Sequence, residues 1–314
     1  MTTAGGPPDP ALRVPLPGGG PMSGPWDAVR CAAGVPVLLA DPDRYLARAD
    51  LAWAGSADER GEDLTATLAA MGYETLCFLA RYVPALGAEA TPLRQAIARL
   101  LAAYAPPRAE LAIEAGCAVG ADLRTLRLFA DRVIGFDTSL GALVVAKRQL
   151  AGEPVPYLVR REGRIFDRAA DLVRPAVQGV TVVVGDAHDP PLGPASADMV
   201  LALNVLDNVR DPLLVLGQLD AVLRPGGLLI VGSPFAWNDA ITAPEAQLGG
   251  THLPPFAGLD SPTVLADILT GRAAVTPALA YDLLAREDVA WEVRDHARCT
   301  VRFDVHLIAA RKRR

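Results

Sequence analysis

From residue 109 onward, short apolar runs alternate with helical stretches, and this alternation constrains the fold more than any other feature of the sequence. ELAIEAG, RVIGFD, VTVVVGD, ADMVLALN and GGLLIVGSP read as strands, with ADLRTLRLFA, SLGALVVAKRQL and DPLLVLGQLDAVL as the helices among them. Each strand is a near-continuous apolar run, which burial on both faces demands of a parallel strand. Alternating β and α units of this length predict a parallel sheet covered by helices on both sides. Two β-rich runs, VAWEVRDHARCT and VRFDVHLIAA, follow late in the sequence with no clear helix between them, and fit an antiparallel pair at the sheet edge. The expected class is α/β: a doubly wound, mainly parallel seven-stranded sheet with an antiparallel edge strand and an N-terminal helical extension.

Three regions are expected. Residues 1–26 are too rich in Gly and Pro to pack and read as a flexible tail. Residues 27–108 read as a helical lid or extension, in which LTATLAAMGYETLCFLARYV carries apolar residues at three- and four-residue intervals. TPLRQAIARLLAAY begins with Thr91 as an N-cap and Pro92 at the first helical position, and Pro106-Pro107 stops it. These helices have two readings, a lid over a cleft or the face of a homodimer. Met71, Tyr73, Phe78 and Tyr82 at helical spacing read as core. Residues 109–314 form the sheet domain, with an irregular stretch at about 234–260 followed by two short helical segments.

Charge and composition remove several functions. With 30 Lys+Arg against 36 Asp+Glu and a net charge of −6, the chain is a poor candidate for nucleic-acid binding by phosphate neutralisation. No apolar run reaches the roughly 18 residues of a membrane span, and no signal-peptide pattern opens the sequence, so no membrane partner and a cytoplasmic location are expected. Cys31, Cys77, Cys117 and Cys299 lack CxxC spacing, so neither a metal site nor a disulfide framework is expected.

The strongest chemical feature is Ile113-Glu114-Ala115-Gly116-Cys117-Ala118-Val119-Gly120, at the end of the first strand and the start of a helix. Glycines there let backbone N–H groups approach a ligand closely. The second strand ends in Asp137, where a carboxylate can accept from both hydroxyls of a ribose. Glu114 is foreign to the dinucleotide pattern G-x-G-x-x-G, and Ala118 stands where a second glycine would fall, which argues against a nicotinamide enzyme. A carboxylate at 114 can instead meet the ammonium of an amino-acid moiety, which points to S-adenosylmethionine. Gly185-Asp186-Ala187-His188 ends the third strand and Asn204-Val205-Leu206-Asp207-Asn208 the fourth; Leu223-Arg224-Pro225-Gly226-Gly227 precedes the fifth. All fall where open α/β sheets bind ligands, at the carboxyl ends of their strands.

EAGCAVG, IGFD, GDAHDPPL, NVLDNV and LRPGG resemble the motifs of class I S-adenosylmethionine-dependent methyltransferases. Beyond that shared core, Tyr157 with Glu162-Gly163, SPFAWNDAITAPEAQLGG and VRDHAR are similar to the methyltransferase module of ovothiol biosynthesis, the 4-mercaptohistidine N1-methyltransferase type. In that group a Trp usually precedes LGG; here it is Gln247. The resemblance implies a Rossmann-like fold and methyl transfer to a small biosynthetic acceptor. By resemblance and position, Glu114, Gly116 and Gly120 hold the methionine end of the cofactor, Asp137 the ribose, and Asp186 and Ala187 the adenine, with Cys117 and Thr138 also at the cofactor. Asn204 lies beside the methyl group. Tyr157, Trp237, Asn238, Glu245 and His296 are the expected acceptor pocket, and His188 and His252 are candidate bases. Two other readings stay open at this level: a tailoring methyltransferase for a peptide or natural product, and a catalytically silent S-adenosylmethionine-binding partner protein.

Overall fold

The computed structural model describes residues 29–54, 70–87 and 91–314, together with Asp9, residues 11–15, residues 21–22 and Leu68. Most of the expected tail, and residues 55–67 of the expected helical block, lie outside the described residues.

Seven strands build the main sheet: β1 (Ala109–Ala115), β2 (Ala130–Asp137), β5 (Val180–Val184), β6 (Ala197–Leu203), β7 (Leu223–Ser233), β8 (Tyr281–His296) and β9 (Cys299–Lys312). A separate hairpin, β3 (Leu158–Glu162) with β4 (Ile165–Arg168), lies between β2 and β5 in the chain. The order across the sheet is β8-β9-β7-β6-β1-β2-β5. From β5 to β7 every neighbour is parallel. The antiparallel pair stands at one edge, with the reversed β9 between β7 and the outermost β8. The chain therefore runs outward from β1 to β5 and then returns to build the other half from β6. That reversal between β1 and β6 is the switch point of an open α/β sheet, where ligands bind.

The helices are α1 (Pro42–Leu46), α2 (Tyr73–Tyr82), α3 (Pro92–Tyr104), α4 (Leu123–Arg127), α5 (Leu140–Ala151), α6 (Pro212–Val222) and α7 (Ser261–Thr270). Their ends follow local chemistry. Asp41, Thr91, Ser139, Asp211 and Asp260 each accept the N–H of the residue three further on; proline takes the first helical position after Asp41, Thr91 and Asp211, and the second after Asp260. One face of the sheet packs against α2, α3, α4 and α5 through residues such as Leu79, Ile97, Leu101, Leu126 and Leu143. The other packs against α6 and α7 through Leu216, Leu219, Leu265 and Leu269.

Three local features depart from the reading of the sequence. Residues 31–36 form a two-stranded turn rather than helix, because Ala33 (φ 47°) and Gly34 (φ 72°) both adopt the left-handed backbone of a tight hairpin. Val37 then pairs with Val184, so this segment covers the outer edge of β5. Among the described residues, α7 has no second helix after it: Gly271 (φ 75°) ends it. The β3–β4 hairpin was not expected at all; its alternation is hidden by arginines on both strands.

Helix α3 belongs to the same core as the sheet, since Ile97 is fully buried with Leu101 and Ala112. Ile97→Ala should lower the unfolding free energy by about 2–5 kcal/mol. Guanidinium titration should report this as one shifted transition. A separate early transition would mean that the N-terminal helices fold as an independent unit.

Candidate active site

A cavity of about 440 Å³ opens at the carboxyl ends of β1, β2, β5 and β6. Its floor is the turn after β1, where Gly116 and Ala118 line the wall. Both have left-handed backbones, Gly116 at φ 69° and Ala118 at φ 47°. Asn204, at the end of β6, is also left-handed at φ 54° and also lines the cavity. Non-glycine residues held there cost on the order of 1–3 kcal/mol each and collect at functional sites.

Asp137 joins two parts of this floor. Its Oδ2 accepts from Ala118 N at 2.9 Å and its Oδ1 from Ser139 N at 2.8 Å. The loop it belongs to is braced from outside the sheet domain: Tyr45 Oη donates to the Thr138 carbonyl at 2.6 Å and accepts from Leu140 N at 3.3 Å. Burial pushes the Tyr45 hydroxyl up to about 12, so it stays a donor at neutral pH.

On the far wall, Asp186 Oδ1 lies 2.8 Å from His188 Nδ1. The His188 ring beside it holds the Asp186 carboxyl below the usual range, against the effect of burial. His188 Nε2 in turn accepts from Asp211 N at 3.3 Å. Both ring nitrogens are thus engaged, and the histidine acts here as a brace between the loops after β5 and β6.

Of the nine residues expected at the cofactor, Gly116, Asp137, Thr138, Asp186, Ala187 and Asn204 line the cavity. Glu114, Cys117 and Gly120 lie beneath the turn. Gly120 and Cys117 pack there: a Cβ at 120 would meet Leu123 at 3.0 Å, and the Cys117 thiol sits against Gly135. Glu114 is 4% exposed, and its Oε2 is buried with no hydrogen-bond partner among the described residues. Burial, and then the neighbouring Asp122 carboxylate, push Glu114 well above the usual carboxylate range, while Arg94 of α3 opposes them. Arg94 Nε stands 3.4 Å from Asp122 Oδ1.

None of the five residues expected at the acceptor lines this cavity. Trp237 Nε1 donates to Ser261 Oγ at 3.1 Å, and the Gly250 backbone lies against the same indole. Asn238 caps the turn after it through Ala240 N, and Glu245 is exposed. Tyr157 packs partly buried against the core below the β3–β4 hairpin. His296 sits at the β8–β9 turn, where Nδ1 accepts from Arg298 N at 3.2 Å. Donor atoms of Asp295, His296 and Cys299 come within 4.8 Å of one another, but Asp295 is already paired with Arg81 and Arg160. The sequence reading missed Phe78, Tyr82 and Ile241 as cavity residues, together with Val209 and Arg210.

Residues 113–231 match the family described as "Methyltransferase domain". That segment is less than half of the chain; its likeness to a methyltransferase domain, on a Rossmann-like sheet, supports S-adenosylmethionine as the cofactor. A curated relative, an uncharacterized 37.1 kDa protein in transposon TN4556 of Streptomyces fradiae, is 33% identical over 146 residues, which make up 46% of this chain and 35% of that protein. The chain thus spans little more than a third of that relative's length. Among solved structures, YcgJ of Bacillus subtilis is similar at 14% identity, covering 70% of this chain and 99% of that one with a TM-score of 0.45. A S-adenosylmethionine-dependent methyltransferase of Methanosarcina mazei is similar at 16% identity, covering 68% and 97% with a TM-score of 0.45. The N-methyltransferase NodS of Bradyrhizobium japonicum is similar at 16% identity, covering 72% and 99% with a TM-score of 0.42.

The residues fit this cofactor on their own chemistry. Glu114 Oε2 and Asn204 Oδ1 are buried acceptors without partners among the described residues. Leaving such a group unsatisfied costs about 1–3 kcal/mol, which a cationic amino-acid moiety can relieve.

Two outcomes follow. Asp137→Ala should weaken S-adenosylhomocysteine binding by about 1.5–3 kcal/mol in calorimetry, the scale of a charged hydrogen bond. Unchanged affinity would remove Asp137 from the site. Glu114→Gln should stabilise the ligand-free protein while weakening the same binding. A carboxyl raised in the folded state makes stability fall as pH rises from the unfolded value, about 4.3, through the folded one. The gain in Tm over wild type should therefore grow as the pH rises above about 4.3; a constant difference would exclude ionisation of Glu114 as its cause.

Proposed function

We propose that this protein is an S-adenosylmethionine-dependent methyltransferase acting on a small biosynthetic acceptor, with the imidazole nitrogen of a thiolated histidine as the first candidate. The observation that carries the reading is the pair of buried oxygens, Glu114 Oε2 and Asn204 Oδ1, that have no hydrogen-bond partner among the described residues, at the ends of the adjacent strands β1 and β6. The match of residues 113–231 to a methyltransferase domain supports the class. The likeness of residues 233–250 to the ovothiol-type module supports the candidate acceptor.

When bound, S-adenosylmethionine supplies an electrophilic methyl group on a sulfonium. The chain's part is to hold and orient. Glu114 is suited to the ammonium, Asp137 to the ribose hydroxyls, and Asp186 with the Ala187 backbone to the adenine edge. Asn204 lies at the end of β6, beside the switch point, where the methyl group would stand. Alignment alone can supply several kcal/mol of a displacement reaction. A neutral imidazole nitrogen, with a conjugate acid of pKa about 6.5, already presents its lone pair near pH 7. It suits a cleft whose histidine, His188, has both ring nitrogens engaged.

Two measurements test this. S-adenosylhomocysteine should raise the melting temperature and NADH should not; a rise with NADH alone would overturn the class. With S-adenosylmethionine present, 4- or 5-thiolated histidine should release S-adenosylhomocysteine faster than histidine does. Equal or absent release from both would leave the class and remove this acceptor.

A further inference from the structure

The cavity wall has two origins. Among the described residues, all but three of those lining it lie within the matched segment 113–231. The three are Phe78, Tyr82 and Ile241. A cofactor shared by a family is handled by the part the family shares, so residues added from outside that part are placed to meet what is particular to this chain.

Tyr82 is the most constrained of the three. Its ring lies 4.5 Å from that of Phe78 and stacks at 6.3 Å on Trp291 of β8, which lies 5.3 Å from Phe303 of β9. The row of rings ties α2 to the antiparallel pair of strands. It holds the Tyr82 ring without engaging its hydroxyl, which has no hydrogen-bond partner among the described residues. Burial raises the pKa of that hydroxyl; Arg81 opposes this, and Asp137 and Asp207 add to it. Ile241 adds an aliphatic face from the loop that Trp237 anchors on α7.

We infer that Phe78, Tyr82 and Ile241 are the acceptor side of the cleft and select a flat heteroaromatic ring, with the Tyr82 hydroxyl donating to an acceptor atom on the edge of that ring. Rigid aromatic side chains give a large contact face at small entropic cost, and their π faces favour the positive charge that a ring nitrogen takes on when methylated. The inference rests on the methyl-transfer reading above and names the chemical class of its acceptor.

The test uses the full chain with Tyr82→Phe and Phe78→Leu, both checked for folding by thermal melting. Probes are thiolated histidine, imidazole and the aliphatic amine ethanolamine. S-adenosylhomocysteine affinity is measured in parallel by calorimetry. Ring probes should be methylated and ethanolamine should not. Each variant should raise the KM for a ring probe about tenfold while leaving S-adenosylhomocysteine affinity within about twofold. Turnover of ethanolamine at the rate of the rings, or variants that weaken cofactor affinity and leave the acceptor KM unmoved, would overturn the inference. If no probe is methylated, the catalytic reading of the acceptor fails, and the inference is decided by binding to the S-adenosylhomocysteine-loaded protein. Ring-probe binding that the two variants weaken supports it; absence of ring-probe binding overturns it.

Discussion

A side chain at position 116 would put its Cβ 2.6 Å from Val205 Cγ2. The turn after β1 and the turn after β6 touch at this point, and only glycine lets them. Everything else at the site depends on that approach. It seats the floor of the cavity against the wall that follows β6, with Asn204 next to the contact. It also occurs where the chain passes from one half of the parallel sheet to the other, between β1 and β6. The left-handed backbones at Gly116, Ala118 and Asn204 all belong to the same narrow region.

The shared domain was legible because its signals are local. Strands buried on both faces must be apolar throughout, and caps such as Ser139 and Asp211 lie next to the helices they start. Residues at strand ends, such as Asp137, Asp186 and Asn204, follow from strand position together with the resemblance of the motifs that hold them. The acceptor side was not legible for the opposite reason. Phe78 and Tyr82 are four residues apart on α2, the spacing of any buried helix face, and nothing local separates a ring that faces a core from one that faces a cavity. Ile241 sits in an irregular loop whose path is set by Trp237 on Ser261 and by Gln247 on Asp239, contacts across 24 and 8 residues. In the segment 233–250, Trp237 and the paired glycines Gly249 and Gly250 take part in the packing of that loop. Gly249 has no room for a Cβ beside Ser261, and Gly250 lies against the indole.

The N-terminal residues do more than cover a cleft. Tyr45 braces the loop that carries Thr138, Val37 covers the open edge of β5, and Arg94 faces the acids beneath the glycine turn. Each contact reaches from the extension to a part of the cofactor side. Meanwhile α3 is packed into the same hydrophobic layer as the sheet through Ile97 and Leu101.

That attachment bears on how such a protein can change its chemistry over evolutionary time. Where a recognition element is a detachable lid or loop, it can be exchanged whole. Here the helix bearing Phe78 and Tyr82 is wedged between the sheet's antiparallel edge and its hydrophobic layer, so replacing it would unfold what it serves. A new preference would have to arrive one ring at a time, on a backbone that stays where it is.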